Sequence, residues 1–333
     1  MFGTKSGLRF IATIAATAVT ISLLAGTPAL AKGKPTTTNA STLQFLTSSF
    51  EGGKALPGFS PGTSDFGFTM EALVQRYALG DKSAAFKSAL AYNLQNPNLS
   101  GSFSTKSGFL FNSDGTVKYG LAGKFAFVSR LVKADNASLR KSVLTAIAKN
   151  QTKTGDLSGD YATTFDRSWA ILGLVSNGFK NQARSLAAAL VKTQLSDGSF
   201  NDGWSLNEGS SDGTGIALQA LAAVKGEGTA KQKASIVSSI KAGAAWLRGT
   251  AVGGNHWESW GDYNLNGTAY AAMGLKASGT SVSSITTWLK SKVAGDGGLQ
   301  TSWSGGAGDI YATAQGVTAM LGKSYLDLLK QAK

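Results

Sequence analysis

Few side chains in this chain could do acid–base or covalent chemistry. The only histidine is His256, and there are no cysteines. His256 stands in Gly253–Tyr263 (GGNHWESWGDY), where it could act as a general base with Glu258 or Asp262 orienting it. No hydroxyl nearby completes a nucleophilic triad, and a purely structural histidine accounts for the same residues. His256 and Asp262 are therefore the candidate catalytic pair. Without cysteine there is no thiolate nucleophile, and one histidine leaves zinc short of a ligand set. The expectation is no metal and no other cofactor. Asp197, Asn201, Asp202, Glu208 and Asp212 fall close enough to offer oxygen ligands to Ca²⁺, although not at EF-hand spacing.

A second constellation recurs along the chain, an acid beside an aromatic. It comprises Asp65 with Phe66, Asp160 with Tyr161, Asp166 near Trp169, Asp212 below Trp204, Asp262 with Tyr263 and Asp309 near Tyr311. Flat rings flanked by carboxylates suit stacking on sugar rings, or holding an apolar or cationic ligand. The candidate contacts are Trp204, Trp257, Trp260, Tyr263 and Trp303, with Asp212, Asp262 and Asp309 as polar partners. Two plainer roles fit as well. Aspartate caps helix N-termini, and Trp257 and Trp260 could plug a core.

What must position these loops is a repeated helix pair, clearest in Ala183–Val224. Ala183, Leu186 and Leu190 mark an outer helix with one side in water, and Thr214–Val224 is apolar all round and must be covered all round. The inner pattern occurs six times, at 69–79, 124–134, 167–177, 213–224, 267–277 and 311–321. Outer helices are expected at 83–95, 137–151, 181–194, 232–247 and 282–293, with terminal helices at 41–49 and 324–331. A single Thr/Gly/Ala-rich hairpin cannot bury its inner helix, so neighbours must stack. The predicted fold is all-α, an α/α toroid of about six inner and six outer helices. Its two terminal helices are expected side by side, closing the ring, with every acid–aromatic loop at one end.

The segment 187–204 (AAALVKTQLSDGSFNDGW) resembles the QW-type repeat of squalene cyclases and protein prenyltransferases, through Gln194 and Asp197–Gly198–Ser199–Phe200. Weaker copies lie at 144–159, with Gln151, and at 286–303, with Asp296–Gly297–Gly298–Leu299. The resemblance spans nearly the whole chain after residue 31 and implies the toroid. It implies no activity, since cobalamin carriers and complement thioester domains are similar toroids. The cyclases' Asp-x-Asp-Asp tetrad is missing, and the prenyltransferase zinc ligands and the thioester Cys–Gln pair both need a cysteine.

Residues 1–31 have the pattern of a cleaved export signal: Lys5 and Arg9, an apolar stretch from Phe10 to Leu24, then Ala29–Leu30–Ala31. Residues 32–41 read as a disordered lead-in and 42–333 as the toroid domain. The formal charge of +13 is spread over the outer helices rather than gathered with aromatics, which excludes a compact nucleic-acid site. It allows weak attraction to an anionic cell envelope. The expectation is an exported monomer that binds an extracellular glycan or a small apolar ligand at the toroid mouth. The alternatives are a secreted enzyme of the toroid class and a structural envelope protein.

Overall fold

The computed structural model describes residues 38–95, 109–112, 115–134, 137–158 and 162–332. The expected export signal lies outside them. Among the described residues the chain forms thirteen α-helices. They are α1 (Thr38–Ser48), α2 (Phe66–Ala78), α3 (Ala84–Leu90, continued by a π-turn over Ala91–Gln95), α4 (Tyr119–Val132), α5 (Ala137–Lys149), α6 (Thr164–Ser176) and α7 (Lys180–Lys192). After these come α8 (Ser211–Val224), α9 (Ala230–Thr250), α10 (Leu265–Ser278), α11 (Ser283–Ser291), α12 (Ile310–Met320) and α13 (Tyr325–Gln331). The one sheet among the described residues is a hairpin of β1 (Glu258–Ser259) and β2 (Asp262–Tyr263).

The even-numbered helices form the inner ring. Each packs on the next, α2 on α4 and so on to α10 on α12, and α12 packs back on α2. The fold is an α/α toroid. The inner helices can crowd because small residues stand at their crossings. A Cβ on Gly215 would collide with the Tyr270 carbonyl, and one on Gly274 with the Gly215 carbonyl. Gly123 and Gly173 play the same part between α4 and α6. The odd-numbered helices α1 to α11 lie outside, burying one stripe each, as Ala183, Leu186, Ala187 and Leu190 do in α7.

The two chain ends depart from expectation. Helix α1 begins at Thr38, inside the expected lead-in, and packs against both α12 and α2, so it alone supplies the sixth outer place. Helix α13 does not join it. It packs on α8 and α10 and drives Tyr325 into the ring. The reason is composition: Tyr325 and Leu328 form an apolar pair that the axis can bury completely.

Candidate functional site

The loops leading into α2, α8, α10 and α12 share one construction. A buried residue (Leu56, Phe200, Trp257 or Leu299) donates its backbone N–H to a threonine hydroxyl, Thr69, Thr214, Thr268 or Thr313, at 2.8–3.0 Å. The same residue's carbonyl accepts from the N–H of the helix N-cap, respectively Asp65, Ser210, Asn264 and Asp309. Leu110 accepts from Lys118 in the same way ahead of α4. Each loop is thus pinned at its base and projects its tip outward. The threonine four residues after each N-cap was legible in the sequence, but periodicity alone did not single it out.

This construction decides which aromatics face water. Trp257 is the anchor of its loop, equivalent to Leu56, Phe200 and Leu299, and is only 3% exposed, with Nε1 donating to Thr250 at 3.0 Å. It is therefore a core residue, contrary to its expected place among the exposed contacts. Trp204 (93% exposed), Trp260 (fully exposed) and Trp303 (69%) occupy loop tips, and Phe59 (77%) occupies the tip ahead of α2. These tips precede α8, α10, α12 and α2, which are consecutive around the closed ring. Of the six exposed large apolar side chains among the described residues, all but Val252 lie on these tips. Phe59 also stacks on Tyr311 (4.8 Å), which packs against Phe68, so the arc continues down into the mouth.

Trp260 is held at φ +54° and is followed by Gly261 at φ +87°, as the central pair of the hairpin between β1 and β2. That turn needs two left-handed residues and normally recruits Asn, Asp or Gly. A bulky side chain there costs about 1 kcal/mol.

The acids divide by role. Asp65 and Asp309 are N-caps, accepting from Phe68 N–H (2.8 Å) and Ala312 N–H (2.7 Å). Asp166 closes a capping box with Thr163 and also accepts from Gly120 N–H on α4. Asp262 is exposed beside the hairpin turn. Asp160 and Tyr161 lie outside the described residues. Asp212 is not a cap: Ser210 caps α8 and donates its hydroxyl to Asp212. Some Asp212 surface stays exposed, yet protein surrounds it closely enough that burial raises its pKa, despite hydrogen bonds from Ser210 and Gly213 that oppose the rise. Because the folded-state value lies above the unfolded one, the ionised side chain opposes folding once pH passes the ordinary carboxylate range. Asp212→Asn should therefore raise the melting temperature at neutral pH, and the gain should shrink as the solution is acidified through that range. Asp309→Ala should lose about 0.5–2 kcal/mol as a missing cap. Thermal melts of the two variants from acid to neutral pH check the contrast, and a lower melting temperature for Asp212→Asn at neutral pH would refute it.

His256 lies flat on Trp288 of α11 (4.9 Å between centroids, 4° between planes), with Nδ1 engaged by Asn255 at 2.7 Å and Nε2 3.5 Å from Glu258. Tyr263 abuts the same Trp288, and Lys292 sits over both rings. His256 is thus packed onto an outer helix, with Glu258 rather than Asp262 as its acidic neighbour. The Ca²⁺ grouping also disperses into local turns. Asp197 accepts from Ser199, Asn201 from Gly203 and Asp202 from Trp204 and Ser205. Among the described residues no three His, Asp or Glu side chains converge as metal ligands.

The ring axis holds a polar cluster that sequence reasoning missed. Glu71 of α2 pairs with Lys124 of α4 and accepts from the Tyr270 hydroxyl of α10 at 2.8 Å. Burial and the Glu71 charge push the Tyr270 pKa well above the usual phenol range, so it remains a donor. Beneath this layer Tyr325 packs on Phe127 and Trp169, and its N–H donates to Gln219. The available signal was an acid, Glu71, and a lysine, Lys124, each inside a segment whose pattern marks it for burial in the inner ring.

No family model and no curated protein matches the sequence. Solved structures match its fold. Type II terpene cyclase MstE from Scytonema aligns at 13% identity over 85% of this chain and 96% of its own, with a TM-score of 0.57. A glycosyl hydrolase of family 88 from Bacteroides vulgatus aligns at 12% over 86% and 96%, with 0.57. Unsaturated glucuronyl hydrolase from Bacillus sp. GL1 aligns at 14% over 85% and 94%, with 0.52. At such identities the likeness is one of fold.

Proposed function

We propose that the protein is an exported, non-catalytic glycan-binding protein that uses the rim of its toroid as the contact surface. The observation carrying this reading is the arc of Trp204, Trp260, Trp303 and Phe59 on four consecutive loop tips, each ring left open to solvent. Acids interleave with them, Asp202, Glu208, Asp262 and Asp309, which suits sugar hydroxyls and disfavours an anionic membrane. The QW-type repeat supplies the scaffold: Gln194 ties its loop to Ser239 of the next outer helix, and Gln151 ties its own to Gln182. Tyr263 braces the rim through Gln300 instead of offering a free face. Export through residues 1–31, a monomeric state and weak attraction to an anionic envelope belong to the same reading.

Strain at Trp260 sharpens the test. Asn fits the left-handed turn better, so Trp260→Asn should stabilise the fold by about 0.5–1 kcal/mol while weakening glycan binding about tenfold. The triple variant Trp204→Ala, Trp260→Ala, Trp303→Ala should abolish binding with the melting temperature nearly unchanged. The measurement is a polysaccharide binding screen with product analysis on each hit. A hit retained by the triple variant sinks the rim assignment. Turnover of any hit favours instead the enzyme reading, in which His256→Ala or Asp262→Asn removes activity. Failure to bind any glycan leaves the structural envelope role.

A further inference from the structure

Charge is divided unevenly along this chain. The stretches 193–224, 249–275 and 293–322 hold the tips of Trp204, Trp260 and Trp303 and the inner helices they lead into. They contain eight of the chain's 19 acids and none of its 32 lysines and arginines. The cations just before them, Lys192, Arg248 and Lys292, close the outer helices. Lys292 is turned onto the rings of Tyr263 and Trp288, at 4.0 and 5.0 Å. Asp202, Glu208, Asp262 and Asp309 meet no lysine or arginine, since the ion pairs among the described residues use other carboxylates. Neighbouring groups feel this negative field. Burial and then the charges of Asp65, Asp309 and Glu51 raise the pKa of Tyr311, as burial and Asp262 raise that of Tyr263. Asp202 adds to the burial that raises Asp212.

We infer that the ligand of the aromatic rim is a cationic polysaccharide, a linear chain of β-linked amino sugars with free ammonium groups. This rests on the rim being a glycan site, as proposed above. Rings and carboxylates alternate along the arc, with Asp202 two residues before Trp204 and Asp262 two residues after Trp260. An ammonium gains from both, through charge-assisted hydrogen bonds to the acid and through the negative face of the ring. Sugar hydroxyls alone do not account for four carboxylates without a counter-charge, and a polymer of uronic acids would be repelled. Packed helices stand roughly 8–10 Å apart, so a ligand that touches several rings must extend along the arc. Its flat apolar faces must also recur, which a β-linked sugar chain supplies and a basic peptide does not.

The test is calorimetric titration of the full chain with the β-linked glucosamine hexasaccharide, its amines protonated, and with the N-acetylated hexasaccharide. At physiological ionic strength the aminated sugar should bind at least about tenfold more tightly. That margin should shrink toward none in about 1 M salt, where the Debye length is roughly 3 Å. Asp202→Asn combined with Glu208→Gln and Asp262→Asn should weaken the aminated sugar about tenfold and the acetylated one far less. An amide at 202 can still accept from the N–H groups of Trp204 and Ser205, and a melting curve confirms that the variant is folded. The tryptophan triple variant should lose both sugars. Equal binding of the two sugars, or a preference that survives the acid variant, would overturn the cationic assignment and leave the glycan site standing. A lysine hexapeptide that binds as tightly and ignores the tryptophan variant would overturn it as well, since the partner would then be a basic peptide. Binding of neither sugar would do the same, and the glycan site would then survive only through another hit in the polysaccharide screen.

Discussion

Tyr325→Ala should cost about 3–5 kcal/mol, the usual loss when a fully buried aromatic is truncated. That is a large share of the 5–15 kcal/mol that typically holds a domain folded, so the variant should melt far below the parent. Helix α13 should come loose with it, because Tyr325 and Leu328 are its fully buried side chains. Limited proteolysis should cut between α12 and α13 in the variant and spare that segment in the parent. Tyr325→Phe separates packing from polarity. The Tyr325 hydroxyl is buried near Tyr270 and Gln75 without meeting either at hydrogen-bond geometry. Removing it should be neutral, or stabilising by up to about 1 kcal/mol. A loss above about 1.5 kcal/mol in chemical denaturation would show instead that the hydroxyl has a bonded partner in solution.

Lys124→Met should be the other large effect. Glu71 is 2% exposed, and Lys124 is the cation that neutralises it, itself over the face of Trp169. Removing one partner strands a buried carboxylate with only the Tyr270 hydroxyl, at a cost of about 3–5 kcal/mol. Adding Glu71→Gln should recover most of that loss, since the amide oxygen can still accept from Tyr270 and no charge remains to desolvate. The measurement is a double-mutant cycle by urea unfolding. Additive losses would mean that the pair is not the coupled unit described above. The magnitude follows from position, as a pair of this kind on the surface would contribute about 0–1 kcal/mol.

These effects concentrate where three distant parts of the chain meet, and that is why the sequence was silent about them. Glu71 and Tyr270 are 199 residues apart, and Gln75 bonds Thr318 across 243. Periodicity shows that an inner helix is buried on all sides, but not which side faces the axis. A lysine in the run KFAFVSRLVKA could equally have marked a solvated face. The rim was legible in part. The Trp/Gly/Asp loops were visible, and so were Asp65 and Asp309 as cap residues. The general capping role of aspartate does not extend to Asp212, because Ser210, two residues earlier, takes the cap and leaves the carboxylate at the second helical position.

What the sequence determined by itself is the repeated inner–outer helix pair and its closure into a ring. The pair follows from local spacing, since a 3.6-residue apolar stripe must be covered, and the ring from inner helices apolar on more than one side, which need neighbours as well as an outer partner. What tertiary structure decided is the fate of single residues. Trp257 and Trp260 are three positions apart in one loop, yet one is core and the other fully exposed. The difference is that the Trp257 backbone is pinned to Thr268 and Asn264, so its side chain must point inward, whereas Trp260 rides the hairpin turn. The C-terminal helix likewise could have joined α1 at the wall. It fills the axis because that is where Tyr325 and Leu328 can be wholly removed from water, and only the assembled ring creates that place.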